Sequence, residues 1–241
     1  MNLQRRNSEQ ERMMIGRIST FALLLVTFSA DAQDMRPADF DHPEADRRMD
    51  ALLVFPEIKG DISVVMSCFA RVKANGKMEG TNCYLQNNYD EPFARAIAVA
   101  GKKARMNPAI VAGMAREIFL QFRVEFIKEG DNQTIDYYLN PGYEENVKAY
   151  GFRHVAGQRV IGKKEPWNDA CPQRARYAVW VRAYLGPDGR ADSPTVQHAD
   201  GITPVQSCID AIKQTVVSSL YTPALADGEP VPSTFVEPFS N

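Results

Sequence analysis

The chain has 241 residues, 28 of them Lys or Arg and 30 Asp or Glu, for a formal net charge of -2. With domains usually running to ~100–150 residues, this length suits two small domains better than one. The even mixture of charge supplies no field to hold a nucleic-acid backbone or an anionic bilayer, so neither is an expected partner.

Arg17 precedes thirteen uncharged, mostly apolar residues, Ile18 to Ala30, and these run into Ala30-Asp31-Ala32. An apolar run ending in a small-x-small site is the pattern of a secretory signal peptide, predicted over 1–32 with the mature chain starting at Gln33. A membrane-spanning helix needs ~20 apolar residues, which disfavours an uncleaved anchor. Met13 and Met14 are alternative starts that would remove the polar lead-in, and no Cys follows the cleavage point to carry a lipid. The mature chain keeps four cysteines, Cys68, Cys83, Cys171 and Cys208, an even number that export turns into two expected disulfides. No two are spaced C-x-x-C, and His42, His154 and His198 lie far from them, so neither metal nor cofactor is expected.

Residues 33–51 are charged and punctuated by Pro37 and Pro43, which predicts an exposed arm. From Ile62 to Val72 apolar residues alternate, as in a strand with one buried face. Asn75-Gly76 then reads as a hairpin turn, and Met78 to Leu85 as the return strand. A two-residue turn places Cys68 opposite Cys83, within disulfide reach; one extra residue would shift the pairing and strain the bond. Asp90 and Pro92 open a helix with Phe93, Ile97, Ala100 and Ala104 on one face, and Asn107-Pro108 stops it. Ile118 to Ile127 alternates again, as a late strand. The stretch 129–174 has no strong period and is read as a structured connector, with an extra strand near 134–139 and helical turns over 144–150.

The order then repeats. Tyr177 to Leu185 is an extended run, Pro187-Asp188-Gly189 a turn, Arg190 to Val196 a possible return strand, and Thr203-Pro204 a helix start, with the helix from Val205 carrying Ile209, Ile212 and Val216. Tyr221-Thr222-Pro223 stops that helix, and Thr234 to Phe239 is the late strand. Gly76 matches Gly189 at an offset of 113 residues, while Pro108-Ala109 matches Pro223-Ala224 and Gly113 matches Gly228 at 115. Cys171 pairs with Cys208 by elimination. His154, His198, Asp90, Glu91 and Asp210 are read as exposed or helix-capping groups, and Trp167 and Trp180 as packing residues.

The segment from Tyr221-Thr222-Pro223-Ala224 through Gly228 to Val231, with the Asp188-Gly189-Arg190 hairpin before it and a strand ending at Phe239 after it, resembles the C-terminal domain of TonB-type energy transducers. Tyr221 stands where the family has phenylalanine in its Phe-x-Pro-Ala-x-x-x-Gly-x-x-Val pattern. The first copy resembles the family less closely and keeps Gly76, Pro108-Ala109 and Gly113; Cys68 and Cys83 resemble a cysteine pair of some envelope relatives. The resemblance implies an α+β fold of two modules, 52–128 and 175–241, each a hairpin, one helix and a late strand. It also implies a periplasmic protein of a Gram-negative envelope that binds proteins rather than catalysing a reaction.

A transducer's permanent membrane helix and long proline-rich spacer have no counterpart in the expected leader and short arm, which leaves docking as the function the resemblance implies. In that mode an extended peptide of an envelope receptor or other envelope protein adds a strand to an exposed edge. By position the edge is Phe235, Val236, Glu237 and Phe239, with Leu120 to Phe126 as its counterpart in the first copy. The alternative is a structural or assembly component whose edges are covered by the other module or the connector.

Overall fold

The computed structural model describes residues 35–171, 177–198 and 204–240; the expected signal peptide, 1–32, lies outside the described residues, as does Thr203 of the expected helix start. The fold class is α+β, with antiparallel sheets and five α-helices among the described residues. A short helix, α1 (Met49–Leu52), precedes the first hairpin, β1 (Ile62–Val72) and β2 (Met78–Cys83). Helix α2 (Glu91–Lys103) follows, then a small hairpin, β3 (Ala109–Val111) and β4 (Met114–Arg116), and the late strand β5 (Ile118–Glu129). The connector holds β6 (Asn132–Tyr138), α3 (Glu144–Tyr150), β7 (Gln158–Val160) and α4 (Pro166–Ala170). The second half has the hairpin β8 (Ala178–Leu185) and β9 (Ala191–His198), then α5 (Gln206–Ser218). It closes with β10 (Tyr221–Thr222), the small hairpin β11 (Ala224–Ala226) and β12 (Glu229–Val231), and the late strand β13 (Ser233–Ser240).

Alternating burial along β1 puts Met66, Cys68, Ala70 and Val72 inside, where Phe93, Ile97 and Ala100 of α2 meet them. In the second half Val179, Val181, Ala183 and Leu185 of β8 face Cys208, Ile212 and Val216 of α5. Each late strand pairs antiparallel with the first strand of its own hairpin, β5 with β1 and β13 with β8. The halves thus share one order of elements and one order of strands, and all described residues fall in one compact unit.

The hairpin turns differ from expectation in an instructive way. Lys73 N–H donates to Lys77 O (2.9 Å) and Gly76 N–H to Lys73 O (2.8 Å), so the turn has one residue more than expected. Arg71 accordingly faces Glu79. Past a bulge at Gly80, which sits at φ +63°, Phe69 faces Asn82 and Cys68 faces Cys83. The bulge cancels the shift imposed by the longer turn, and the disulfide forms across Cα atoms 3.9 Å apart. The second hairpin repeats the device. Gly186 N–H donates to Arg190 O (2.8 Å), the bulge residue Ser193 has φ +50°, and Val181 faces Val196 where the first half has its cystine.

Gly80 has no neighbour where a Cβ would stand, so its cost on substitution is purely conformational. Gly80→Ala is expected to lower stability by ~1–2 kcal/mol, the penalty of a left-handed L-residue. Urea unfolding of the oxidised protein measures it, and a variant as stable as the parent would contradict the bulge account.

Two further correspondences redraw the expected boundaries. A Cβ on Gly76 would collide with Met106 O and one on Gly189 with Tyr221 O, so each turn is pressed on the chain leaving its own helix. The arm expected to be exposed over 33–51 is packed in its described part: Ala38 and Met49 are buried, and Arg36 and Ile110 exchange backbone hydrogen bonds of 2.8 Å. Val155 and Leu225 exchange the matching pair at 2.9 Å, and Gln158 pairs with Thr222 as Asp39 does with Asn107. Each half therefore starts well before its hairpin, with a short bridging segment and a small helix. The sparse apolar residues of the arm, which gave no period, are the ones that turn inward.

Candidate functional site

Neither late strand offers the open edge expected of it. Strand β5, holding Leu120 to Phe126, is central: β1 lies along one side, and β6 and β7 take the other. Strand β13 has β8 on one side only, but α3 closes its outer edge with side chains. Asn146 Nδ2 donates to Thr234 O (2.8 Å) and Asn146 Oδ1 accepts from Thr234 N–H (2.9 Å), the two bonds that an added strand would make. Tyr150 Oη donates to Pro232 O (2.7 Å) and Tyr143 Oη to Val236 O (3.0 Å). Beyond them Pro238 has no N–H to give. The expected edge residues Phe235, Glu237 and Phe239 are buried, and Val236 is partly so. β6 and β7 thus cover β5, and α3 covers β13, at the edges expected to dock a peptide.

Glu237 belongs instead to a buried ionic knot. Arg159 of β7 donates Nε to Glu237 Oε2 (2.6 Å) and Nη2 to Glu237 Oε1 (2.7 Å), while its Nη1 reaches Glu165. Trp167 Nε1 and Gly162 N–H also donate to Glu165 (2.8 and 3.1 Å), and all three charged side chains are nearly inaccessible. Burial pushes the carboxyl of Glu237 upward against the pull of Arg159. At Glu165 burial acts the same way, but Arg159, Trp167 and Gly162 outweigh it and hold the group below the usual carboxylate range. A bidentate guanidinium between two carboxylates fixes the orientation of β7, β13 and the start of α4.

Besides β13, whose outer side α3 covers, the longer strands with a partner strand on one side only among the described residues are β2, β6 and β9. Pro194 and the bulge at Ser193 blunt β9. On β2 a bridge between Lys77 and Arg105 occupies the first rung, and Met78 to Cys83 has no outer strand partner. A cavity lies on each face of the β1–β2 sheet there. On the helix side, Lys77 to Thr81 and Ala98 and Lys102 of α2 line a groove of 420 Å³. On the reverse side, a cleft of 350 Å³ between the halves is walled by Phe69, Tyr84, Phe119, Trp167, Trp180 and Phe239, with Arg159 and Glu237 also lining it. Glu79 and Gly80 line both.

The remaining sequence candidates have simpler roles. His154, expected to be exposed, is buried with Nδ1 2.7 Å from Gly151 O, and burial holds its pKa below the ordinary histidine value. Asp90 is also buried and accepts from Gln86 and Asn87 N–H (2.7 and 3.1 Å) rather than capping α2 directly. Trp167 and Trp180, expected to be packing residues, both line the cleft. The cysteines pair as expected, Cys68 with Cys83 and Cys171 with Cys208. Such bonds are typical of proteins in oxidising, extracytoplasmic compartments, and among the described residues no helix is long and apolar enough to cross a membrane. No family model, curated protein or solved structure matches the chain.

Proposed function

We propose that this chain is a protein-binding module of the cell envelope, built from two units resembling the TonB C-terminal domain, which takes up an extended segment of an envelope partner by strand addition at β2. The carrying observation is the edge from Met78 to Cys83, unpaired on its outer side and forming one wall of a groove whose other wall is α2. Main-chain hydrogen bonds along such an edge supply affinity without demanding a sequence, and the groove supplies selectivity. Lys102 is exposed and makes no ion pair among the described residues, which favours an acidic residue in the segment. The kinship with TonB domains is supported by the shared strand order of the halves and by their matching turns at Ala112-Gly113 and Asp227-Gly228, all four residues at positive φ.

Fluorescence polarisation with an extended peptide and its copies N-methylated at alternate amides tests strand addition. One methylated set abolishes binding and the other leaves it unchanged; equal binding of all copies would reject the mode. The closed late strands favour a second reading, a structural component of an envelope complex. That reading predicts a stable stoichiometric complex and no response to any extended peptide.

A further inference from the structure

Successive residues of a strand face opposite sides of the sheet. A segment added to β2 would therefore send alternate side chains to the α2 groove and to the reverse face, where the aromatic cleft lies. The two faces differ in chemistry. The α2 side presents Lys102, whereas the reverse side presents Phe69 and Tyr84, with Trp180 of β8 lining the same cleft; Lys77 is engaged by Glu79, two residues on (2.9 Å). Tyr84 is 37% exposed, and Phe69 and Trp180 are partly exposed, so the cleft has accessible aromatic surface. Its far wall is held in place by the buried Arg159–Glu237 pair, whose hydrogen bonds are all internal to the protein, leaving the ring faces as the recognition surface. Arg71, also at the cleft, is exposed and forms no ion pair among the described residues; it lies on the same face as Phe69 and Glu79. Rings in such a box stack edge to face or offset with a further ring, and a guanidinium at the rim adds a cation–π contact.

We infer that the aromatic cleft is a side-chain pocket of the β2 site, and that it selects partner segments carrying an aromatic residue directly beside an acidic one. The acidic residue lies against Lys102 while its neighbour enters the cleft between Tyr84 and Trp180. This inference rests on the strand-addition reading, and its test separates the two.

The probe is a fluorescein-labelled nine-residue peptide with one aspartate followed directly by one tryptophan, the remainder serine and threonine. It is compared with the same peptide carrying serine for tryptophan, against the full oxidised chain and its Tyr84→Ala and Trp180→Ala variants. The tryptophan peptide is expected to bind about tenfold or more tightly than the serine peptide, as for a buried aromatic anchor. In each variant that ratio is expected to collapse toward unity while the serine peptide binds as before. Tyr84 is exposed enough that its replacement leaves the fold intact, which keeps the test valid should Trp180→Ala unfold. Equal binding of both peptides to the parent, or an unchanged ratio in Tyr84→Ala, overturns the cleft as a pocket and leaves strand addition standing. Binding of neither peptide overturns both.

Discussion

Replacing Arg159 with methionine is expected to be among the most damaging single changes, lowering stability by about 3–5 kcal/mol at neutral pH. The substitution keeps the length of the side chain and removes the only cation within ion-pair distance of Glu165 and Glu237 among the described residues, both nearly inaccessible to water. Two buried carboxylates then stand without a cation and their pKa values rise in the folded state. A carboxyl raised in the folded state binds protons more readily there than in the unfolded chain, so stability increases as pH falls. The deficit of Arg159→Met should therefore shrink between neutral and mildly acidic pH. Denaturant unfolding at several pH values measures it, and a deficit independent of pH would contradict the charge argument. In the parent the lowered carboxyl of Glu165 contributes in the opposite sense, and its contribution is lost as acid protonates it.

Loss of the Cys171–Cys208 bond is expected to be the second large effect. It closes 37 residues, against 15 for Cys68–Cys83. Chain-entropy scaling gives about 4 kcal/mol for the longer closure and about 3 for the shorter. Cys171→Ser with Cys208→Ser should thus destabilise more than Cys68→Ser with Cys83→Ser, since both pairs are core residues and only the closure lengths differ. Cys171 follows α4 as Leu53 follows α1, and Cys208 is the third residue of α5 as Phe93 is of α2. The first half thus has two apolar core residues, Leu53 and Phe93, at the positions that the second half joins covalently. Thermal unfolding of the two double variants ranks them, and the reverse order would contradict the closure argument.

The order of elements was legible because punctuation carries it: Gly76 and Gly189 mark turns, Pro108 and Pro223 end helices, and Gly113 and Gly228 mark the small hairpins. Alternation gave the inward face of β1, whereas β5, which alternates too, is buried on both faces, Gln121 and Arg123 included. What stayed hidden depended on partners remote in sequence. The bulge at Gly80 has no signal beyond one glycine, yet it decides the register of the disulfide. Asn146, Tyr143 and Tyr150 look like an ordinary polar helix until β13 is laid beside them, and Arg159 gains its meaning only when Glu237, distant in sequence, arrives. The arm from Arg36 to Leu53 is too sparsely apolar to show a period, although Ala38, Met49 and Leu53 are core residues.

The central claim is that an extended partner segment is received at β2 and not at the late strands, which the connector already occupies. Hydrogen–deuterium exchange of the oxidised chain, with and without saturating aspartate–tryptophan peptide, tests it directly. Slowed exchange over 77–84, with 118–129 and 233–240 unchanged, is the predicted result. Protection confined to 233–240, with faster exchange in 144–150 as α3 is displaced, would contradict it.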